Sequence, residues 1–243
     1  MIASLGMYDR AETAASNDAL WAAIRSNLGY GPAQLDRTSA FMDIWKSPEL
    51  LFSQTCGMPY RTGLHSHVQL LATPDYAIPD VAPGYYYSVM LVRAGDDTDV
   101  KNYCNRVLAY NGPTSQSGWA AAQNHAFELG FQFESLFRSG AHMASAVAVA
   151  DGQADIAALD ALTWRMICQY DEIAKDLSVI ATTSPTPGLP FITAPTQDAD
   201  AINVAVDLAV QELPGEHREI LGINGMVRFE PADYMQIRTP PAP

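Results

Sequence analysis

Two kinds of chemistry are suggested by residue types and spacing in this 243-residue sequence. The first is capture of an anion. Between the apolar segment RVLAY and a long Ala-rich stretch lies the small-polar run Thr114-Ser115-Gln116-Ser117-Gly118. A strand that stops at such a run and restarts as a helix directs several backbone N–H groups forward without an intrahelical acceptor. Water and the Ser115 and Ser117 hydroxyls, acting as an ordinary N-cap, could satisfy them. The alternative is an oxyanion held by those N–H groups and hydroxyls together. Gln116 stands mid-run, where its backbone N–H is a better donor than its side chain.

Two more residues belong with this run. His142 follows Ser139-Gly140-Ala141 at the head of another helical pattern, where it is either a donor to an oxyanion or a surface imidazole near a cap. Asp160 ends the apolar run ADIAAL and opens ALTWRMICQY, so it either accepts a ligand ammonium or caps that helix.

The second kind of chemistry is nucleophilic. Thr55-Cys56-Gly57 follows LLFSQ and could present a thiolate at a helix start, with His65 or His67 as base. The stronger reading makes the same Cys a small buried apolar residue and His65-Ser66-His67 a solvated turn. Tyr60, just beyond, and Tyr8, after IASLGM, sit at strand ends where ligands of open α/β sheets are met. Ordinary half-buried packing is the other reading for both tyrosines.

The elements that must position these residues alternate between strand-like and helix-like periodicity. IASLGMY, LLFSQ, HVQLLATP, YYYSVMLVR, RVLAY, ADIAAL, LSVIATT and PFIT read as strands. Helices are expected up to Leu28 with Gly29 as the stop, over Gly118–Leu129, over HMASAVAVAD closed by Gly152, over ALTWRMICQY, and from about Asp198 to Leu213. The alternation predicts an α/β class with mostly parallel sheets flanked by helices. Pro and Gly concentrate in Ala82–Ser88 and Thr182–Phe191, which are expected to be hinge crossings. Lobe 1 would then comprise residues 1–86 and 187–243, lobe 2 residues 87–186, with a ligand cleft between them.

Composition excludes several classes. Hydrophobic residues make up 48% and charged residues 17%, and no apolar run reaches the roughly 20 residues of a membrane helix, so a globular chain without direct membrane insertion is expected. A net charge of −13 without a Lys/Arg cluster argues against a nucleic-acid partner. Cys56, Cys104 and Cys168 are odd in number and lack metal-site spacing, so neither disulfides, a metal nor another cofactor is expected. The acidic charge does not forbid anion binding, because local dipoles act at short range while distant charges are screened. MIASLGMYDR shows no secretory signal pattern; the expectation is a periplasmic protein if a signal has been trimmed and a cytoplasmic one if Met1 is the native start.

The ordered set Ser115-Gln116-Ser117-Gly118, Ala141-His142, Gly152-Gln153-Ala154-Asp155-Ile156-Ala157 and Asp160 resembles the phosphonate-binding branch of the solute-binding proteins that serve ABC importers. The resemblance runs over most of the chain. It implies the type 2 periplasmic-binding fold and a small ligand of the phosphonate, phosphate or sulfonate class. It also implies a partner in an ABC transporter permease. On this reading Ser115, Gln116, Ser117 and His142 hold the oxyanion, Asp160 faces the cleft, and Tyr8, Thr55, Cys56 and Tyr60 line the first lobe. The chain departs from the family where Gln116 replaces the usual Thr. Binding without catalysis is the leading expectation; the rivals are a cytoplasmic ligand sensor of the same fold and a Cys56-dependent enzyme on it.

Overall fold

The computed structural model describes residues 1–243 and divides into two compact units. The first comprises Met1–Tyr85 and Pro187–Met235, the second Tyr86–Thr186 and Gln236–Pro243. The placement of the last eight residues differs from the sequence expectation, which gave them to the first lobe. Side-chain anchors account for it: the Trp119 indole N–H donates to the Pro241 carbonyl, and Asn124 and Arg238 bond each other. No helix is long and apolar enough to cross a membrane.

In the first unit a four-stranded sheet has the order Ile2–Ser4, Leu50–Gln54, Phe191–Thr193, Gln69–Leu70. The Leu50–Gln54 strand is buried along its whole length, consistent with its unbroken apolar start. The helix Ala14–Leu28 packs on Ala199–Glu212. The latter buries Ile202, Ala205, Val206, Ala209 and Val210, the i, i+3, i+4, i+7, i+8 stripe of a one-sided helix. Asp198 caps it by accepting from Ala201 N at 3.0 Å. Gly29 ends the earlier helix in the left-handed region at φ 83°, where a side chain would be strained, and its N–H returns to the Arg25 carbonyl.

The second unit is built on a five-stranded sheet in the order Leu177–Thr182, Ser88–Arg93, Ile156–Asp160, Leu108–Tyr110, Leu136–Arg138. Ile156–Asp160 is buried throughout, and helices Ala121–Glu128, His142–Ala150 and Ala161–Tyr170 all pack on the sheet. Its apolar cluster joins Val89, Leu91, Ala109, Val149, Leu159 and Ile167.

The pairing is mixed rather than mostly parallel. Leu108–Tyr110 runs parallel to both of its neighbours, but Ser88–Arg93 is antiparallel to both of its own, and so is Phe191–Thr193. The physical reason is the connection. Ser88–Arg93 and Phe191–Thr193 follow the crossing segments directly rather than a packed helix, so the βαβ rule that enforces parallel pairing does not act on them. The crossing segments themselves, Tyr85–Tyr86 and Thr186–Pro187, form a two-stranded ladder. Two expected strands are also shorter. IASLGMY is a strand only to Ser4 and then a 3-10 turn at Gly6–Tyr8. HVQLLATP breaks into Gln69–Leu70 and Thr73–Asp75, which pair with different partners.

Candidate functional site

Leu108–Tyr110 delivers the chain to Asn111 at one edge of the second sheet, and a turn closed by Ser115 N to Gly112 O at 3.1 Å leads into the next helix. Ser115 is extended and caps it, its Oγ accepting from Gly118 N at 3.0 Å. The first turn is wide. Ala120 N bonds Ser115 O and Ala121 N bonds Gln116 O, five residues back, before the regular helix Ala121–Glu128 begins. A wide turn postpones the first intrahelical bond by a residue, so more N–H groups face forward than in an α-helical start. Gln116, Ser117, Gly118, Trp119 and Ala120 are all buried.

Neighbouring elements converge on this turn. Ser88, opening its strand, donates from Oγ to the Ser117 carbonyl at 3.0 Å. Ser117 Oγ lies 2.9 Å from His142 Nε2, and Asn111 Nδ2 lies 3.4 Å from the same nitrogen. Gly118 makes the convergence possible. A Cβ there would sit 2.1 Å from Asn111 Oδ1 and 3.3 Å from His142 Cε1, so only glycine admits both side chains. The helix His142–Ala150 is tied to the same sheet edge, since Ser139 Oγ bonds both the Tyr110 carbonyl and Ser145 Oγ.

Burial dominates the electrostatics of this cluster. Desolvation holds the His142 imidazole down at about 4, so it is neutral at pH 7. Ser117 Oγ and the Asn111 amide both meet the ring at Nε2, while Nδ1 lies on the other side of the imidazole. Both His142 Nδ1 and Asn111 Oδ1 are buried without a hydrogen-bond partner. Such an atom costs about 1–3 kcal/mol when left unsatisfied. A neutral cluster of hydroxyl, amide and imidazole groups at a helix start, with buried polar atoms unfilled, can hold an oxyanion without a lysine or arginine.

Asp160 lies in register with Ser88 at the same edge. It is 2% exposed, and its Oδ1 accepts from Leu162 N at 2.8 Å and Thr163 N at 3.1 Å. Its cap role is therefore filled within the chain.

The candidates of the first unit have a different character. Tyr8 is half-buried, its ring edge-on to Tyr76 at 5.2 Å. Thr55 is fully buried and bonds Pro190 O through its backbone N–H. Cys56 is 6% exposed and precedes the short helical segment Gly57–Leu64. Tyr60 is 1% exposed, packed edge-on to Tyr234 at 5.2 Å within the cluster of Ile44, Trp45, Leu50 and Leu64. Tyr60 sits in a helical turn whose apolar side is core, and burial raises its phenol. His65 and His67 are exposed whereas Cys56 is buried, and no three His, Cys, Asp or Glu side chains form a metal-binding group. An open depression of 820 Å³ beside Ala3, Trp21 and Pro32–Thr38 includes none of the candidate residues.

Sequence reasoning missed Asn111, Ser88, Ser139 and Ser145. Asn111 had a legible signal, as a polar residue directly after a buried strand and before Gly-Pro. The serines had none, because their role depends on strand neighbours far apart in sequence.

The chain is mixed α/β in two units, with a buried polar cluster at a helix start in the second. Residues 7–237 match the family described as "ABC transporter, phosphonate, periplasmic substrate-binding protein", and the chain belongs to it. Among curated protein sequences none matches. Similar solved structures include PhnD1 of Prochlorococcus marinus in complex with methylphosphonate, at 12% identity and TM-score 0.76, covering 97% of this chain and 94% of that one. A binding protein component of an ABC phosphonate transporter from Pseudomonas aeruginosa follows at 16% identity and TM-score 0.69, with coverages of 93% and 80%. A Xanthomonas citri protein bound to ATP has 13% identity and TM-score 0.69, with coverages of 97% and 94%. At these identities the likeness establishes the fold, type 2 periplasmic-binding. Family and fold together assign a solute-binding role rather than an enzymatic one, and favour neither the Cys56 enzyme nor the cytoplasmic sensor.

Proposed function

We propose that the chain binds a small phosphonate-class oxyanion at the start of the Gln116–Glu128 helical segment, for delivery to an ABC importer. The observation that carries this reading is the buried cluster of Ser117 and His142, 2.9 Å apart at the start of the helix, with His142 Nδ1 and Asn111 Oδ1 unpartnered. Ligand oxygens would take hydrogen bonds from the Ser117 hydroxyl and the forward N–H groups of the wide turn, aided by the helix dipole, with His142 Nε2 positioning that hydroxyl. Asp160 Oδ1 accepts from two backbone N–H groups, and on this reading the carboxylate belongs to its helix cap and amine-free ligands are preferred.

The test is a thermal-shift and calorimetric panel of methylphosphonate, 2-aminoethylphosphonate, inorganic phosphate and methanesulfonate. Binding to the folded state alone raises apparent stability by about 2.7 kcal/mol at one hundred times Kd. The expected result is stabilisation by methylphosphonate that disappears in His142→Ala. Stabilisation by none of the four at millimolar concentration would remove the reading, and so would binding indifferent to His142.

A further inference from the structure

The last eight residues lie along the helical segment that carries the proposed site. Asn124 Nδ2 donates to the Arg238 carbonyl at 3.0 Å, and Arg238 Nη1 donates back to Asn124 Oδ1 at 2.9 Å. The Arg238 guanidinium sits 3.8 Å over the Phe127 ring. Further along, Pro240 is buried and the Pro241 carbonyl accepts from Trp119 Nε1 at 3.2 Å. The segment therefore runs antiparallel to the helix, from Phe127 and Asn124 back to Trp119. Trp119 belongs to the wide first turn itself, next to Gly118, and is 3% exposed with its ring tilted against Tyr110 at 5.1 Å.

We propose that Gln236–Pro243 is a positioning strap that orders the Ser117–Ala120 turn through Trp119 and so sets oxyanion affinity. A turn closed by five-residue bonds is looser than an α-helical one and depends on side-chain restraints to keep its N–H groups aimed. Tyr110 holds one side of the indole, and the Pro241 carbonyl fixes its N–H, so the plane of Trp119 and the backbone behind it are set from both sides. Arg238 acts as the second anchor, with a guanidinium stacked on Phe127 and a reciprocal pair of bonds to Asn124. Removing the strap leaves the cap by Ser115 and the Ser117–His142 contact in place. It frees the turn rather than deleting a ligand contact.

The affinity part rests on the proposed function, and the ordering part does not. The experiment compares wild type, a chain ending at Ile237, and Trp119→Phe, which keeps an aromatic ring but loses the indole N–H. Amide hydrogen exchange of residues 117–120 is read without ligand, and methylphosphonate affinity by calorimetry. Exchange in this turn should quicken about tenfold in the shortened chain and less in Trp119→Phe, with amides of Ile156–Asp160 unchanged. Affinity should fall about tenfold and about threefold in the same order. Unchanged exchange at 117–120 overturns the strap, whether or not methylphosphonate binds. Quickened exchange with unchanged affinity overturns its role in binding. If wild type fails to bind methylphosphonate, the proposed function falls, and exchange alone still decides whether the strap orders the turn.

Discussion

The two units treat their polar and reactive side chains in opposite ways. In the first, Cys56, Tyr60 and Thr55 are absorbed into packing: Tyr60 belongs to the apolar cluster around Trp45 and Leu50, and Thr55 is fully buried. In the second, Ser88, Asn111, Ser117 and His142 are drawn together at one sheet edge, and two of their atoms remain buried and unpartnered. Burial alone therefore does not mark a site, since both sets are buried. A single unsatisfied atom does not either, since Arg218 Nε in the first unit is also buried without a partner; what sets the second group apart is that its unsatisfied atoms converge with Ser117 on one turn.

The sharpest way to break this comparison is through two glycines. Gly118→Ala would place a methyl 2.1 Å from Asn111 Oδ1, whereas a Cβ at Gly63 in the first unit meets nothing within 4 Å. Gly118→Ala should displace Asn111 and His142, abolish methylphosphonate binding and destabilise by about 1–3 kcal/mol. Gly63→Ala should leave binding intact and stabilise by up to about 1 kcal/mol, since alanine is the better helix former. Denaturant melts and calorimetry on both variants check this. Equal effects would mean that Gly118 is no tighter than its counterpart.

Acid sensitivity separates the units next. His142 sits at about 4 in the folded chain against an ordinary value near 6.5 when unfolded. The depressed value means that the unfolded chain takes up the proton first. Stability from this group is complete above about pH 6.5 and is lost as pH falls toward 4, by about 3 kcal/mol in all. Asp36 in the first unit titrates in a lower window: bonds from Ser39 and Thr38 hold its carboxyl at about 2, so its contribution fades between about pH 4 and 2. His142→Gln should flatten the upper acid limb of the stability profile and leave the lower one unchanged. A bound anion should raise the His142 value, so the limb should move to lower stability loss with ligand present. Nuclear magnetic resonance titration of the imidazole with and without methylphosphonate is the direct reading.

A smaller effect is expected from single hydroxyls. Ser117→Ala should weaken methylphosphonate binding by about 1.5–3 kcal/mol, the worth of one hydrogen bond to a charged group. Tyr60→Phe should leave affinity within about twofold, its phenol being core. Thiol alkylation should proceed faster at exposed Cys168 than at buried Cys56. Rapid labelling of Cys56, or a loss of affinity in Tyr60→Phe equal to that in Ser117→Ala, would return the first unit's residues to the site.

Much of the second unit was legible because its signals are local. The Ser115 cap, the strand Ile156–Asp160 and the helix stop at Gly152 each follow from a few adjacent residues. The phosphonate-binding resemblance was carried by the same local pieces. What escaped were features set by distant pairing. The antiparallel course of Ser88–Arg93 depends on its entry from a crossing segment, and the attachment of the C-terminal segment on a single indole N–H and one Asn–Arg pair. The packing of Tyr60 was hidden for a related reason: a strand end predicts where a residue lies in sequence, and only the surrounding helix shows that its ring packs among Ile44, Trp45 and Leu50.

Asp160 offers the finest test, with the smallest expected change. Its Oδ1 already accepts two backbone N–H groups, so it contrasts with the unfilled His142 Nδ1 at the same edge. Asparagine caps helices about as well as aspartate, so Asp160→Asn should hold stability within about 0.5 kcal/mol, while Asp160→Ala should lose about 1 kcal/mol. For methylphosphonate, removing a nearby negative charge should leave affinity unchanged or improve it slightly, because the carboxylate could only repel the anion. For 2-aminoethylphosphonate the same substitution should have the same small effect if the carboxylate is committed to its cap. If instead Asp160→Asn costs the amino-bearing ligand a few kcal/mol and spares the other, the carboxylate is pairing with an ammonium in a partly dry site. The preference for amine-free ligands would then be withdrawn, while the contrast between the units would stand with one more polar atom on the second unit's side.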